Sequence, residues 1–403
     1  MGVFDKIWSA TKGKSGRVAT EKAAESLSGF ALSAVASTAG CGMLGVEIIR
    51  LIGEVGWCYL AAVMEDVAKR DAERLRAVPS AAGEVERLLR WGEEIDRRAT
   101  EDEANAKAMN ELGLRYLIGA EAPQDDEKAF RCFRCAARAG NVEATRNLAW
   151  RYYNGEGVSQ DWTQATVWWR KAAEAGDADA MNILGVCYAK GEGVSQDMTQ
   201  AVAWYRQAAD AGDAEAMFNL GVCYAKGEGV SQDWPQAVAW YRQAAEAGYA
   251  SAMFNLGNCF YNGEGVSQDW TQAVAWYRQA AELGVADAMF NLGGCYKNGR
   301  GVSQDWTQAV ALWRQAADAG NALAMFNLGV CYANGRGVSQ DWTQAIAWYR
   351  QAADAGDVSA MSNLGFCYAN GLGVSQDWTQ AVAWYRQAAE AGNASAMCSL
   401  GVR

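Results

Sequence analysis

An aspartate returns every 36 residues without a slip, at Asp161, Asp197, Asp233, Asp269, Asp305, Asp341 and Asp377. An alanine in the other half of the unit keeps the same step through Ala108, Ala144, Ala180, Ala216, Ala252, Ala288, Ala324, Ala360 and Ala396. A fixed period of this length is the signature of a repeat array, in which each unit buries its apolar face only against its neighbours. An enzyme needs each catalytic group once, whereas a chain that repeats one unit is building a surface. Eight units run from about residue 104 to 392, and half a unit follows over 393–403. The first two units diverge most, and from about residue 158 the copies are nearly identical.

One unit reads as two helices. In residues 213–248, Ala216, Leu220 and Tyr224 fall at i, i+4 and i+8 and make one stripe of a helix A. Gly221 beside Leu220 lets another helix approach closely, and Gly227 stands where a left-handed residue ends a helix. Asp233 is placed as the N-cap of a helix B, with Gln236 three residues on to complete a capping box. Pro235 falls in the first turn, where its missing N–H costs little. Ala237, Trp240, Ala244 and Ala245 form the expected buried stripe of helix B, which Gly248 ends. Helices this short are marginal alone in water, so each pair must bury its faces against adjacent pairs.

The recurring phrase is A-x-A-x-x-x-L-G-x-x-Y-x-x-G-x-G-V-x-x-D-x-x-x-A-x-x-W-Y-x-x-A-A-x-x-G. It resembles the Sel-one-like repeat (SLR) family, a relative of the tetratricopeptide repeats, over residues 101–403. The resemblance implies an all-α, right-handed superhelical solenoid of helix-turn-helix repeats that binds proteins or peptides and scaffolds complexes without catalysis. Some secreted bacterial SLR proteins pair two cysteines within each unit and have been associated with penicillin binding or a β-lactamase-like activity. Other relatives act as lumenal adaptors in protein quality control. The second cysteine of each unit is missing from this chain.

Charge and composition narrow the function further. The net charge is −11, from 36 basic and 47 acidic residues. Residues 1–100 are balanced with 14 of each, so the excess lies wholly beyond them, 22 basic against 33 acidic. Such a surface repels phosphate, which argues against a nucleic-acid partner. The chain has no histidine, which removes Ser-His-Asp and Cys-His chemistry and the commonest metal ligand. No catalytic residue, cofactor or metal is expected.

Six of the eleven cysteines form a ladder, one per unit, at Cys187, Cys223, Cys259, Cys295, Cys331 and Cys367. Equivalent positions on packed helices lie about 8–10 Å apart, beyond the roughly 7 Å between Cα atoms that a disulfide tolerates. The ladder is therefore read as small buried hydrophobes in reduced form, which suits a cytoplasmic home. Cys132 and Cys135 form a short CxxC, but a metal site needs two more ligands. Cys132 also takes the place that Trp204 holds two units later, so core filling is expected.

Residues 1–100 lack the repeat and read as a helical region that caps the first unit. Residues 26–46 carry no charge and have the length of a membrane span, though they are mostly Ala, Ser and Gly. Residues 26–64 can thus be a small-residue helical hairpin or a contact with a membrane. A secretory leader fits poorly, because the apolar run starts late. "KGKS" at 12–15 lacks the preceding strand and glycine of a phosphate loop.

Buried stripes should be constant along the array, and partner-facing positions should vary. The face of helix A away from its stripe holds Glu215, Phe218, Val222 and Lys226. The resemblance places this face on the concave side of the solenoid. Along the array it becomes Phe254, Asn258 and Asn262, then Phe290 and Asn298, then Phe326 and Asn334. One reading is a groove with an aromatic ladder beside an amide rail, where asparagines bond an extended peptide and pockets take its side chains. The other makes the phenylalanines inter-helix core and the asparagines caps of the turns.

Overall fold

The computed structural model describes residues 103–119 and 123–401. The expected N-terminal helical region, its membrane reading over 26–64 and the "KGKS" segment lie outside the described residues. Seventeen helices and no strand occur among the described residues. In chain order these are α1 (Glu103–Ile118), α2 (Asp126–Arg138), α3 (Val142–Asn154), α4 (Trp162–Glu174), α5 (Ala178–Lys190) and α6 (Met198–Asp210). There follow α7 (Ala214–Lys226), α8 (Trp234–Glu246), α9 (Ala250–Asn262), α10 (Trp270–Glu282), α11 (Ala286–Asn298) and α12 (Trp306–Asp318). The last are α13 (Ala322–Asn334), α14 (Trp342–Asp354), α15 (Val358–Asn370), α16 (Trp378–Glu390) and α17 (Ala394–Gly401). Odd-numbered helices are helix A of a repeat and even-numbered ones are helix B. The chain divides into two compact units, one ending at Ala211 and the other beginning at Gly212. Within each unit every helix A packs on its own helix B, and every helix B packs on the next helix A. The architecture is an α-solenoid of helical hairpins.

The helix ends fall where the local chemistry puts them. Gly227 closes α7 in the left-handed region, at φ 74°, and its N–H donates to the Cys223 carbonyl at 2.9 Å. Asp233 caps α8, its Oδ1 accepting from the Gln236 N–H at 3.1 Å. The reciprocal half of the expected capping box is replaced, because the Asp233 N–H donates to the Tyr224 carbonyl at 2.9 Å. Gln232 adds a strap across the loop, its Nε2 donating to the Ala225 carbonyl at 2.8 Å. The same strap runs from Gln160 to Tyr153, Gln268 to Tyr261 and Gln340 to Ala333. The recurring "SQD" therefore closes the hairpin. At Gly265, φ 71°, a Cβ would lie 2.5 Å from the Trp234 carbonyl, so this glycine lets the loop lie on the previous repeat.

The core stripe of α7 is Ala216, Leu220 and Cys223, all buried, with Tyr224 half-buried at its edge. Its hydroxyl-bearing counterparts Tyr188, Tyr332 and Tyr368 each accept from an arginine of the preceding helix B, at 2.6, 2.6 and 2.8 Å. A side chain that must reach a surface arginine cannot be fully enclosed. The expected stripe of α8 needs a correction. Ala237, Ala244 and Ala245 are buried, but Trp240 is only half-buried and the core aromatic is Tyr241. Position i+4 from Ala237 lies nearer the centre of the stripe than i+3. Gly221 makes room for that ring, for a Cβ there would stand 2.7 Å from it.

At the other turn, Asp213 and Asn393 cap α7 and α17, accepting from Ala216 N–H at 2.6 Å and Ala396 N–H at 2.9 Å. Tyr249 and Val285 hold the same position before α9 and α11 and supply no side-chain cap. Ala108 departs from the alanine ladder, being exposed where Ala144 and Ala180 are fully buried.

The six ladder cysteines are buried and form no disulfide, and Cys132 and Cys135 are likewise buried and unbridged. Burial pushes the thiols of Cys187 and Cys259 up to about 12 and those of Cys223, Cys295, Cys331 and Cys367 to about 11. They are inert core groups rather than nucleophiles. Among the described residues no helix is long and apolar enough to cross a membrane, and no cluster of metal-ligating side chains occurs.

Candidate functional site

The varying face of helix A opens on a cavity in the second unit. It has a volume of about 650 Å³ and lies at the C-terminal ends of α7 and α9, beside the loops that follow them. Four of the residues singled out in sequence, Val222, Lys226, Asn258 and Asn262, line it together. Helix B contributes Trp234 and Tyr241 to its wall, and the loops contribute Glu228, Gln232 and Glu264. No local pattern pointed to this second group, because Trp234 and Tyr241 belong to phrases that repeat everywhere.

The wall is mixed in chemistry. Asn258 is held from behind, its Oδ1 accepting from Tyr277 Oη at 2.7 Å and from Asn291 Nδ2 at 3.1 Å. Tyr241 is deeply set, and burial raises its phenol to about 12, so it stays neutral. Lys226 reaches Glu228 at 3.9 Å across exposed surface, a pair worth little by itself. The Glu264 N–H donates to the Cys259 carbonyl at 3.0 Å, while its carboxylate has no hydrogen-bond or ion-pair partner among the described residues.

The remaining sequence-derived residues fall around the cavity or along the same face. Glu215 is exposed near the start of α7. Phe218, Phe254, Phe290 and Phe326 are half-buried. Phe218 packs against Tyr241 and Tyr249 with ring centroids at 5.8 and 5.2 Å. Phe254 lies 6.1 Å from Tyr277, and Phe326 lies 6.0 Å from Tyr349. These rings are wedged between helices as well as partly open. Asn262 and Asn298 are exposed. Asn334 is turned onto its own helix, with Nδ2 donating to the Val330 carbonyl at 2.8 Å, and Asn370 does the same to Phe366. The amide rail is thus not uniform.

The loop position held by Glu228 and Glu264 changes sign farther along the second unit, to Arg300 and Arg336. Arg300 lies over the Tyr261 and Trp270 rings at 5.5 and 5.3 Å, and Arg336 lies over Trp306 at 5.2 Å. This edge of the unit runs from acidic to basic.

Solved structures with the same fold carry the same repeat. The protective antigen c5321 of uropathogenic Escherichia coli, which displays an SLR fold, is 38% identical with a TM-score of 0.69. That match covers 74% of this chain and 64% of the antigen, so the chain spans less than two thirds of its length. A Sel1 repeat protein from Oxalobacter formigenes is 33% identical with a TM-score of 0.61, covering 77% of this chain and 89% of that one. Comparison with curated proteins gives no significant match. The Sel1 repeat profile matches eight consecutive segments, 106–141, 142–177, 178–213, 214–249, 250–285, 286–321, 322–357 and 358–393. With repeat, helix boundaries and solved relatives in agreement, the chain belongs to the Sel1 repeat family.

Proposed function

We propose that this chain is a non-catalytic scaffold that binds a protein or peptide along the helix A face of its repeats. The fold is one that commonly mediates protein interactions. The observation that carries the reading is the cavity at α7 and α9, where the varying residues Val222, Lys226, Asn258 and Asn262 converge while the stripes behind them stay constant. Amides beside an apolar and aromatic wall suit an extended backbone with one side chain inserted. The acidic charge of the repeats speaks against a nucleic-acid partner. Free buried thiols fit a reducing compartment such as the cytoplasm.

The test is selection from short random peptides displayed on phage, using the immobilised full chain. Enriched peptides are expected to lose about tenfold in affinity, roughly 1.4 kcal/mol, when Asn262→Arg and Asn298→Arg are introduced together. Failure to enrich any peptide, or peptides indifferent to that double variant, overturns the reading.

A further inference from the structure

The cavity has a filled counterpart in the same chain. Two repeats earlier, Tyr153 on α3 occupies a seat built from Trp150, Trp162, Trp169 and Glu192. Its ring lies 5.6 Å from Trp150, is stacked 6.1 Å from Trp162 and lies 5.4 Å from Trp169. Its hydroxyl donates to Glu192 Oε2 at 2.9 Å. Moving each residue forward by two periods gives Val222, Ala225, Trp234, Tyr241 and Glu264. All five line the cavity. The stacking wall, the deep aromatic and the carboxylate are retained, while Ala225 stands where Tyr153 stood and Val222 where Trp150 stood, so the ring and one of its flanking aromatics are missing.

Other seats of the second unit are filled or lack the acceptor. At the next repeat Tyr261 supplies the ring, 6.4 Å from Tyr277, and its hydroxyl is met by Arg300. One repeat on, Lys297 reaches over Trp306 at 5.9 Å. At Ala333 the ring is again absent, but Leu372 stands in the place of the carboxylate. Among these seats, only the one at Ala225 combines a missing ring with an acid that has no partner.

We propose that this seat takes a tyrosine side chain from a bound extended peptide. This rests on the peptide-binding reading above. The ring stacks on Trp234 beside Tyr241, as Tyr153 does on Trp162. The phenol donates to Glu264, and Asn258 and Asn262 face the flanking backbone. A cavity of about 650 Å³ is larger than a phenol ring and leaves space for that backbone. A basic side chain could satisfy the carboxylate but would not reproduce the ring stack.

The experiment uses the peptides enriched on the full chain by display. The expected result is a shared tyrosine whose change to Phe weakens binding about fivefold, and whose change to Ala weakens it more. Ala225→Tyr should fill the seat from within and lower affinity at least tenfold. Glu264→Gln, in a loop and outside the buried core, should lower it severalfold without a change in thermal midpoint, which keeps the test open if Ala225→Tyr does not fold. Peptides sensitive to Asn262→Arg with Asn298→Arg, yet lacking tyrosine, carrying Arg or Lys in its place, or indifferent to both seat variants, overturn the tyrosine seat and leave peptide binding standing. No enriched peptide overturns both.

Discussion

The seat around Tyr153 and the seat around Ala225 are built on the same backbone pattern, with the same turn, the same strap and the same cap. In the first, Gln160 ties the loop to the Tyr153 carbonyl, and in the second Gln232 ties it to the Ala225 carbonyl, both at 2.8 Å. They differ in what fills them. The first packs Trp150, Tyr153 and Trp169 into one aromatic cluster closed by Glu192. The second has Val222, Ala225 and Tyr241, with Glu264 left facing the space. Even the floor is adjusted. Ala149 is buried in the first unit's core beside Trp169, while the corresponding residue of the second is Gly221, on which Tyr241 rests. A solenoid can therefore hold its scaffold constant and leave a seat empty by shortening the side chains that filled it, because each repeat is closed by its own turn bonds.

That comparison can be broken most forcefully at Tyr153. Tyr153→Ala should cost about 2 kcal/mol, since it removes a ring held by three others and its bond to Glu192. Urea unfolding measures the loss, and an unchanged midpoint would show that the cluster is not a structural unit. The same variant should acquire binding of tyrosine peptides at the newly opened seat. Next in size is Gly221→Ala, with an expected cost of about 1–2 kcal/mol, because its Cβ meets a Tyr241 ring enclosed on its other sides. If the variant is as stable as the parent, the two floors are interchangeable. Ala225→Tyr should act in the opposite direction, stabilising the second seat by about 1 kcal/mol through ring contacts and the bond to Glu264. A loss in its place would mean that the second seat has changed shape as well as content.

The smallest effect is on titration. Tyr153 has its phenol raised above the ordinary value of 10.0, chiefly by its hydrogen bond to Glu192 and then by burial. The neutral phenol is the form that donates. The contribution of this bond is thus fully present below the unfolded value near 10 and is lost as pH rises through the higher folded value. Difference absorbance between the parent and Tyr153→Phe should show the late-titrating phenol, and Glu192→Gln should bring it back toward the ordinary value. If Ala225→Tyr creates a second such phenol, dependent on Glu264, the two seats are the same device. If the new phenol titrates normally, they are not.

Much of this architecture could be read along the chain. The period, the two helices per unit, the glycine stops, the aspartate caps and the isolated cysteine ladder all follow from contacts within about one turn or from strict register. Such features depend on the residues' own backbone and side-chain preferences and need no knowledge of neighbours. Asp233 caps α8 because its carboxylate is three residues from the N–H it accepts, and Gly227 ends α7 because it alone there adopts φ 74° at no cost. The varying residues Val222, Lys226, Asn258 and Asn262 were also visible, as departures from an otherwise repeated phrase.

Packing between helices settled the rest. Whether Trp240 or its neighbour Tyr241 enters the core depends on which one meets Gly221 across the hairpin. Along the chain the phenylalanine ladder could be open groove or inter-helix core, and packing shows Phe218, Phe254 and Phe326 each leaning on a tyrosine 23 residues on, as Phe218 does on Tyr241. The cavity itself is carried by no local motif. It exists because Ala225 on helix A faces Trp234 on helix B of the same hairpin and Glu264 of the next repeat, and a residue's absence acquires meaning only where others have gathered around it. Local preferences therefore determine where this chain forms helices and turns. What is left vacant between them is decided by long-range packing, in which the size of each side chain is measured against partners a full repeat away.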